Sequence, residues 1–215
     1  MFSRNIMSNS QRSSVLDTYA EAQTYFMGEG RLNNALTRLV NDLRNHEIDY
    51  VVIGALALLA HGYPRFTEDI YVIVSPEGLE RFHQELIGLG YAPAFAGARK
   101  RLRSTLDGTP VELITAGEYP GDGKPKPVCF PQPSEATVEI DGVKFPTLEK
   151  LIELKLASGM TAPDRLKDLA DVQELIKLRS LSAEFAERLN PYVREKYLEL
   201  LNAVKRGRRE NSFEE

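Results

Sequence analysis

The chain has one cysteine, Cys129, and no tryptophan among its 215 residues. A single thiol can neither close an intrachain disulfide nor supply a cysteine-based zinc site, which fits a reducing compartment. No apolar run approaches the roughly 20 residues that a membrane span requires, and the longest candidate is broken by His61, Gly62 and Pro64. Met1 to Ser14 is polar and lacks the apolar stretch of a secretory signal. An excess of positive charge is missing too. The formal net charge is −4, so the overall balance does not favour a nucleic-acid partner. These absences point to a soluble, cytoplasmic protein, long enough for one substantial core with helical additions.

What is present is a readable succession of periods. Leu36, Leu39, Val40 and Leu43 recur at helical spacing within 32–46, and a similar pattern covers 13–27, with Gly28-Glu29-Gly30 between them. Tyr50-Val51-Val52-Ile53 reads as a buried strand closed by Gly54. Leu56 to Ala60 is apolar on every side, a buried helix that Gly62 and Pro64 terminate. Asp69 to Val74 is the next strand, and Ser75-Pro76 caps a helix running to about Leu89. Asp107-Gly108 and Asp141-Gly142 mark two hairpins, over 99–114 and 137–145. The stretch from Ala116 to Pro133, crowded with Gly and Pro, is a lid or a connector. Helices are expected over 148–157, 163–178, 183–189 and 191–205. The fold class is α/β (α+β), a mixed sheet flanked by helices. Its parts are an N-terminal helical extension (1–48), an α/β core (49–146), a helical C-terminal part (147–206) and a flexible tail (207–215).

Strand parity selects the candidate chemistry. Asp69, Tyr71 and Ile73 share one face of their strand, and Ile70, Val72 and Val74 share the other, which is core. Glu112 lies between Val111 and Leu113 and projects away from the side they bury. On an adjacent strand it brings a second carboxylate within range of one divalent cation bound at Asp69. Taken singly, Asp69 reads as a turn or cap residue and Glu112 as the solvated side of a strand. Their combination with Gly54-Ala55, whose backbone can approach a phosphate closely, gives them weight. Arg65 precedes Asp69 and is suited to grip phosphate, or to pair with Glu68 or Asp69. His61 reads as structural. Arg99-Lys100-Arg101 with Arg103 reads as an exposed strand edge protected by charge rather than a nucleic-acid site.

The run from Gly54-Ala55 through Gly62-Tyr63-Pro64-Arg65 and Thr67 to Asp69-Ile70 resembles the minimal nucleotidyltransferases of the DNA polymerase β-like superfamily. The resemblance is strongest to their bacterial toxin-type (AbiEii-like) and uncharacterised members. Their pattern is Gly-Gly or Gly-Ser at a strand end, a helix, then Asp-x-Asp on the next strand and a third carboxylate later. Here Gly54 matches the first glycine, Ala55 replaces the second residue, Asp69 matches the first aspartate and Glu112 is the candidate third carboxylate. Leu148 to Ala157 and Arg165-Leu166-Lys167-Asp168-Leu169-Ala170-Asp171 look like the family's C-terminal helices, so the resemblance spans roughly 50–178. It implies a nucleotidyltransferase-like core that uses Mg²⁺ or Mn²⁺ to transfer a nucleoside monophosphate from an NTP to an acceptor hydroxyl. Asp69 and Glu112 would be the catalytic metal ligands, and Gly54, Ala55, Arg65, Lys155, Arg165 and Asp168 the nucleotide-binding residues. The acceptor would be a protein or small molecule, and an antitoxin partner is implied. Without the resemblance, the charges at Arg165, Asp168 and Asp171 read as a salt-bridged helix face.

Position 71 breaks the pattern. The family's second aspartate falls there, and this chain has Tyr71. A phenol with a reference pKa of about 10 is a poor substitute for a carboxylate that bridges two ions, and Glu68 points to the opposite strand face. Three explanations stand: loss of catalysis leaving a nucleotide- or partner-binding protein, rearrangement to another carboxylate, or a single-base Asp-to-Tyr change.

Overall fold

A computed structural model describes residues 30–211. The helix expected over 13–27 lies outside the described residues. The described chain runs α1 (Arg31–Asn45), β1 (Tyr50–Ile53), α2 (Ala55–Ala60), β2 (Ile70–Val74), α3 (Pro76–Glu85), β3 (Tyr91–Pro93), β4 (Arg101–Ser104), β5 (Pro110–Thr115), β6 (Thr137–Ile140), β7 (Val143–Pro146), α4 (Leu148–Thr161), α5 (Leu166–Leu178) and α6 (Pro191–Asn211), with short 3₁₀ turns before α5 and α6.

The sheet has five strands in the order β1-β2-β5-β4-β3. It is mixed: β2 pairs antiparallel with β1 and parallel with β5. The expected α/β class, with a mixed sheet flanked by helices, is what the chain adopts. Its β-branched strands bury one face completely. Ile70, Val72, Val111 and Leu113 are at most 2% exposed and join α1 and α4 in the main core. Side chains buried this fully contribute about 1.5–3 kcal/mol each. Ile53, Tyr71 and Glu112 form one row across the other face, because Tyr71 is in register with both neighbours.

Several boundaries differ from the sequence reading. Helix α3 stops at Glu85, short of Leu89, because Gly88 and Gly90 take positive φ there and turn the chain into β3. That three-residue strand contains a proline and escaped the sequence reading. It covers β4, so Arg101 and Arg103 stand on the face of an interior strand and not on a sheet edge. Arg99, Lys100 and Arg101 are each ion-paired, to Glu80, Glu118 and Glu112. The segment 184–188 is a 3₁₀ turn, and α6 continues to Asn211, through charged residues of good helix propensity, rather than ending at Lys205.

Helix α4 is the central post, with Leu151 to Ser158 buried without interruption. Two charged residues fall inside that run, and each must be answered there. Glu153 accepts from Lys150 Nζ at 2.5 Å and from the backbone of Asn190 at 2.6 Å. Lys155 is answered by α5.

Candidate functional site

One cavity of about 240 Å³ lies between the carboxylate face of the sheet, the start of α2, and helices α4 and α5. Gly54, Ala55, Arg65, Asp69, Glu112, Lys155, Arg165 and Asp168, all chosen from the sequence, line it together with Tyr71. Residues as far apart in the chain as Gly54 and Asp168 are thus brought to one place, but they divide into two chemically distinct groups.

The strand side carries Asp69, just before β2, and Glu112 on β5. Thr67 donates its hydroxyl to Asp69, and Arg101 lies 3.9 Å from Glu112. Directly opposite Glu112, and two residues beyond Asp69, stands Tyr71. Burial, then the charge of Asp69 and a hydrogen-bonding interaction with it, then the charge of Glu112, push the Tyr71 phenol up to about 12, with Arg165 opposing. The side chain is therefore neutral at physiological pH. Its ring also covers the Gly54 turn: a Cβ built on Gly54, whose φ is +76°, would meet Tyr71 Cδ2 at 3.3 Å. The glycine is required there by its backbone angle, and the space beside it holds an aromatic ring.

The helical side is neutralised internally. Lys155 Nζ donates to Asp168 Oδ1 at 2.9 Å and to Asp171 Oδ2 at 2.8 Å. Ser158 Oγ donates to Asp168 Oδ2 at 2.7 Å, and Arg65 Nη1 to Asp171 Oδ2 at 2.5 Å. Burial works to raise the Asp168 pKa, but the charge of Lys155 and the hydrogen bonds from Ser158 and Lys155 outweigh it and hold the carboxyl below the usual carboxylate range. Arg65 thus pairs with Asp171 across the cavity. Lys155 and Asp168 lie at the cavity with their charges already answered. Asp168 and Asp171 do share a helix face, and that face is buried against Lys155.

Arg165 behaves differently. It and Lys167 line the cavity from an exposed position, and neither cationic head makes a hydrogen bond or ion pair among the described residues. Lys167 was missed from the sequence, although it lies between Arg165 and Asp168. Thr67, Ser158 and an apolar wall containing Phe130 were missed as well. His61 is 8% exposed and hydrogen-bonds Pro146 O at 2.8 Å, a structural role.

Among the described residues no three His, Cys, Asp or Glu side chains converge on a metal position. Asp69 and Glu112 are the strand-side carboxylates that line the cavity. Tyr71, in register with Glu112, offers no third carboxylate beside them.

No family model and no curated protein matches the chain. Among solved structures it is similar to ANT(2")-Ia in complex with adenylyl-2"-tobramycin, at 14% identity over 80% of this chain and 95% of that one, with a TM-score of 0.49. It is also similar to a candidate nucleotidyltransferase from H. pylori, at 17% identity over 86% and 97% of the two chains, with a TM-score of 0.43. A third is an antigenic nucleotidyltransferase-like protein from Paracoccidioides brasiliensis, at 16% identity over 67% and 75%, with a TM-score of 0.43. Likeness of this degree concerns overall layout and says nothing of individual side chains. Within the described residues no helix is long and apolar enough to cross a membrane.

Proposed function

We propose that the cavity binds a nucleoside triphosphate with Mg²⁺ on a nucleotidyltransferase-type site whose capacity for transfer is weak or lost. The observation that carries this reading is Tyr71, neutral and set beside Asp69 and Glu112 in a cavity that also carries exposed cations. In the reaction of such a site, an acceptor hydroxyl attacks the α-phosphorus of the NTP, a new P–O bond forms, and pyrophosphate leaves with the electrons of the bond that breaks. Asp69 and Glu112 would hold one Mg²⁺, which supplies charge neutralisation on the triphosphate. Arg165 and Lys167 are placed to meet phosphate oxygens without first breaking an ion pair. Tyr71 contributes no negative charge, so it neither completes a second cation site nor draws the proton from an acceptor hydroxyl.

Pyrophosphate release from ATP with Mg²⁺, measured beside ATP binding by calorimetry, tests this. Wild type is expected to bind ATP and release no pyrophosphate above an Asp69→Asn control, whereas Tyr71→Asp gains release. Wild-type release equal to that of Tyr71→Asp would overturn the impaired-site reading. Wild type that binds no ATP would overturn the nucleotide reading altogether.

A further inference from the structure

The segment between Ala116 and Pro133 is tied to the core at several points. Gly117 and Phe130 are tied by a 2.8 Å backbone hydrogen bond, and Phe130 N donates to Glu118 O at the same distance. Val128 inserts into the main core at 1% exposure. The Lys126 side chain, 5% exposed, donates to Pro120 O at 2.5 Å, Asp122 Oδ1 at 2.6 Å and Thr161 Oγ1 at 3.3 Å. Gly121, at φ +78°, sits so close to α4 that a Cβ would come within 2.3 Å of Thr161 Oγ1 and 2.8 Å of the Ser158 carbonyl oxygen. The strap's position is therefore set by a buried ammonium on one side and by the absence of a side chain on the other.

Its inner surface is a wall of the cavity. Pro120, Gly121 and Phe130 face inward beside Ile53 and Ile114. Phe130, Tyr71 and Ile114 pack on the small apolar cluster of Val51, Ile53, Ile73 and Ala116, so the wall continues across the sheet. At about 240 Å³, the cavity falls below the roughly 300–1,000 Å³ that encloses a whole drug-sized ligand. It encloses one part of a nucleotide and leaves the rest at its open rim. A flat apolar ring gains by leaving water for such a wall, and a polyphosphate loses. The exposed cations at the rim favour the opposite arrangement for the charged part.

We infer that the wall made by Pro120, Gly121 and Phe130 is a subsite for the nucleobase half of the ligand, with Lys126 as its positioning residue and the polyphosphate directed toward Arg165 and Lys167. This rests on the nucleotide reading above. The subsite selects for a base-bearing phosphate over a bare one.

Calorimetric titration of ATP and of tripolyphosphate, each with Mg²⁺, separates the two ideas. Wild type is expected to prefer ATP. Lys126→Met and, independently, Phe130→Leu should weaken ATP by about threefold to tenfold, the scale of one lost ring contact, and leave tripolyphosphate unchanged. A purely structural loss lowers both ligands together and keeps their ratio, which overturns the subsite. Equal wild-type affinity for the two ligands overturns it as well, with the nucleotide-site reading intact. Wild type that binds neither ligand sinks both.

Discussion

On the helical side of the cavity Lys155, Asp168, Asp171 and Arg65 answer one another's charges, whereas on the strand side Asp69 and Glu112 stand beside a phenol that stays neutral. Lys155, Asp168 and Asp171 are buried, and each charged group has a partner there. The strand carboxylates are half-buried, with Glu112 at 35% side-chain exposure. Water remains available to them, so they need no partner to persist. Residues drawn into one cavity can therefore differ in kind: one group holds α4, α5 and the loop before β2 together, and the other keeps charge available for a ligand.

Breaking the helical group should give the largest effect. Lys155→Met leaves buried Asp168 without its cation and Asp171 with Arg65 alone, which costs about 3–5 kcal/mol, a fall in Tm of roughly 10 °C or more. Asp69→Asn and Glu112→Gln should change stability by about 1 kcal/mol or less. Thermal melts of the three variants decide the matter, since equal losses would erase the distinction between the groups. Arg65→Met comes next. It removes the charged hydrogen bond to Asp171 while Lys155 still holds that carboxylate, so about 1–3 kcal/mol is expected by urea unfolding.

The pH dependence sharpens the same contrast. The Asp168 carboxyl has a lowered pKa in the folded state, so its contribution is complete above the ordinary carboxylate value of about 3.9 and is lost as pH falls through the folded value below it. In that window the unfolded chain binds the proton first, and stability declines. Urea midpoints measured from neutral pH down to about pH 3 should show this decline, and Asp168→Asn should flatten it. The smallest change in stability belongs to the rim. Arg165→Gln and Lys167→Gln are each expected within about 0.5 kcal/mol of wild type, yet they should weaken ATP binding and its dependence on salt. A rim variant that melts like Lys155→Met would place Arg165 or Lys167 in the scaffold instead.

What the sequence made legible was local and periodic. Alternation along 69–74 placed Asp69 and Tyr71 on one face, and the apolar neighbours of Glu112 aimed it to the same side, as the register confirms. Gly54 was legible because a strand ending in glycine announces a positive φ. Partnership was not legible. Lys155 and Asp168 stand 13 residues apart, on two helices whose packing no single helical period encodes. Arg65 meets Asp171 across 106 residues, a partner that its local neighbours in the sequence do not announce. The strap was read as a lid or connector because Gly and Pro signal irregular backbone equally in mobile and fixed segments. Lys126, which fixes it, looks in sequence like any surface lysine.

The most direct test counts cations. Electron paramagnetic resonance titration of Mn²⁺ in the presence of ATP should find one bound ion per chain in wild type and a second in Tyr71→Asp. Two ions in wild type, or an unchanged count in Tyr71→Asp, would contradict the assignment of Tyr71 as the residue that separates this site from a transferring one.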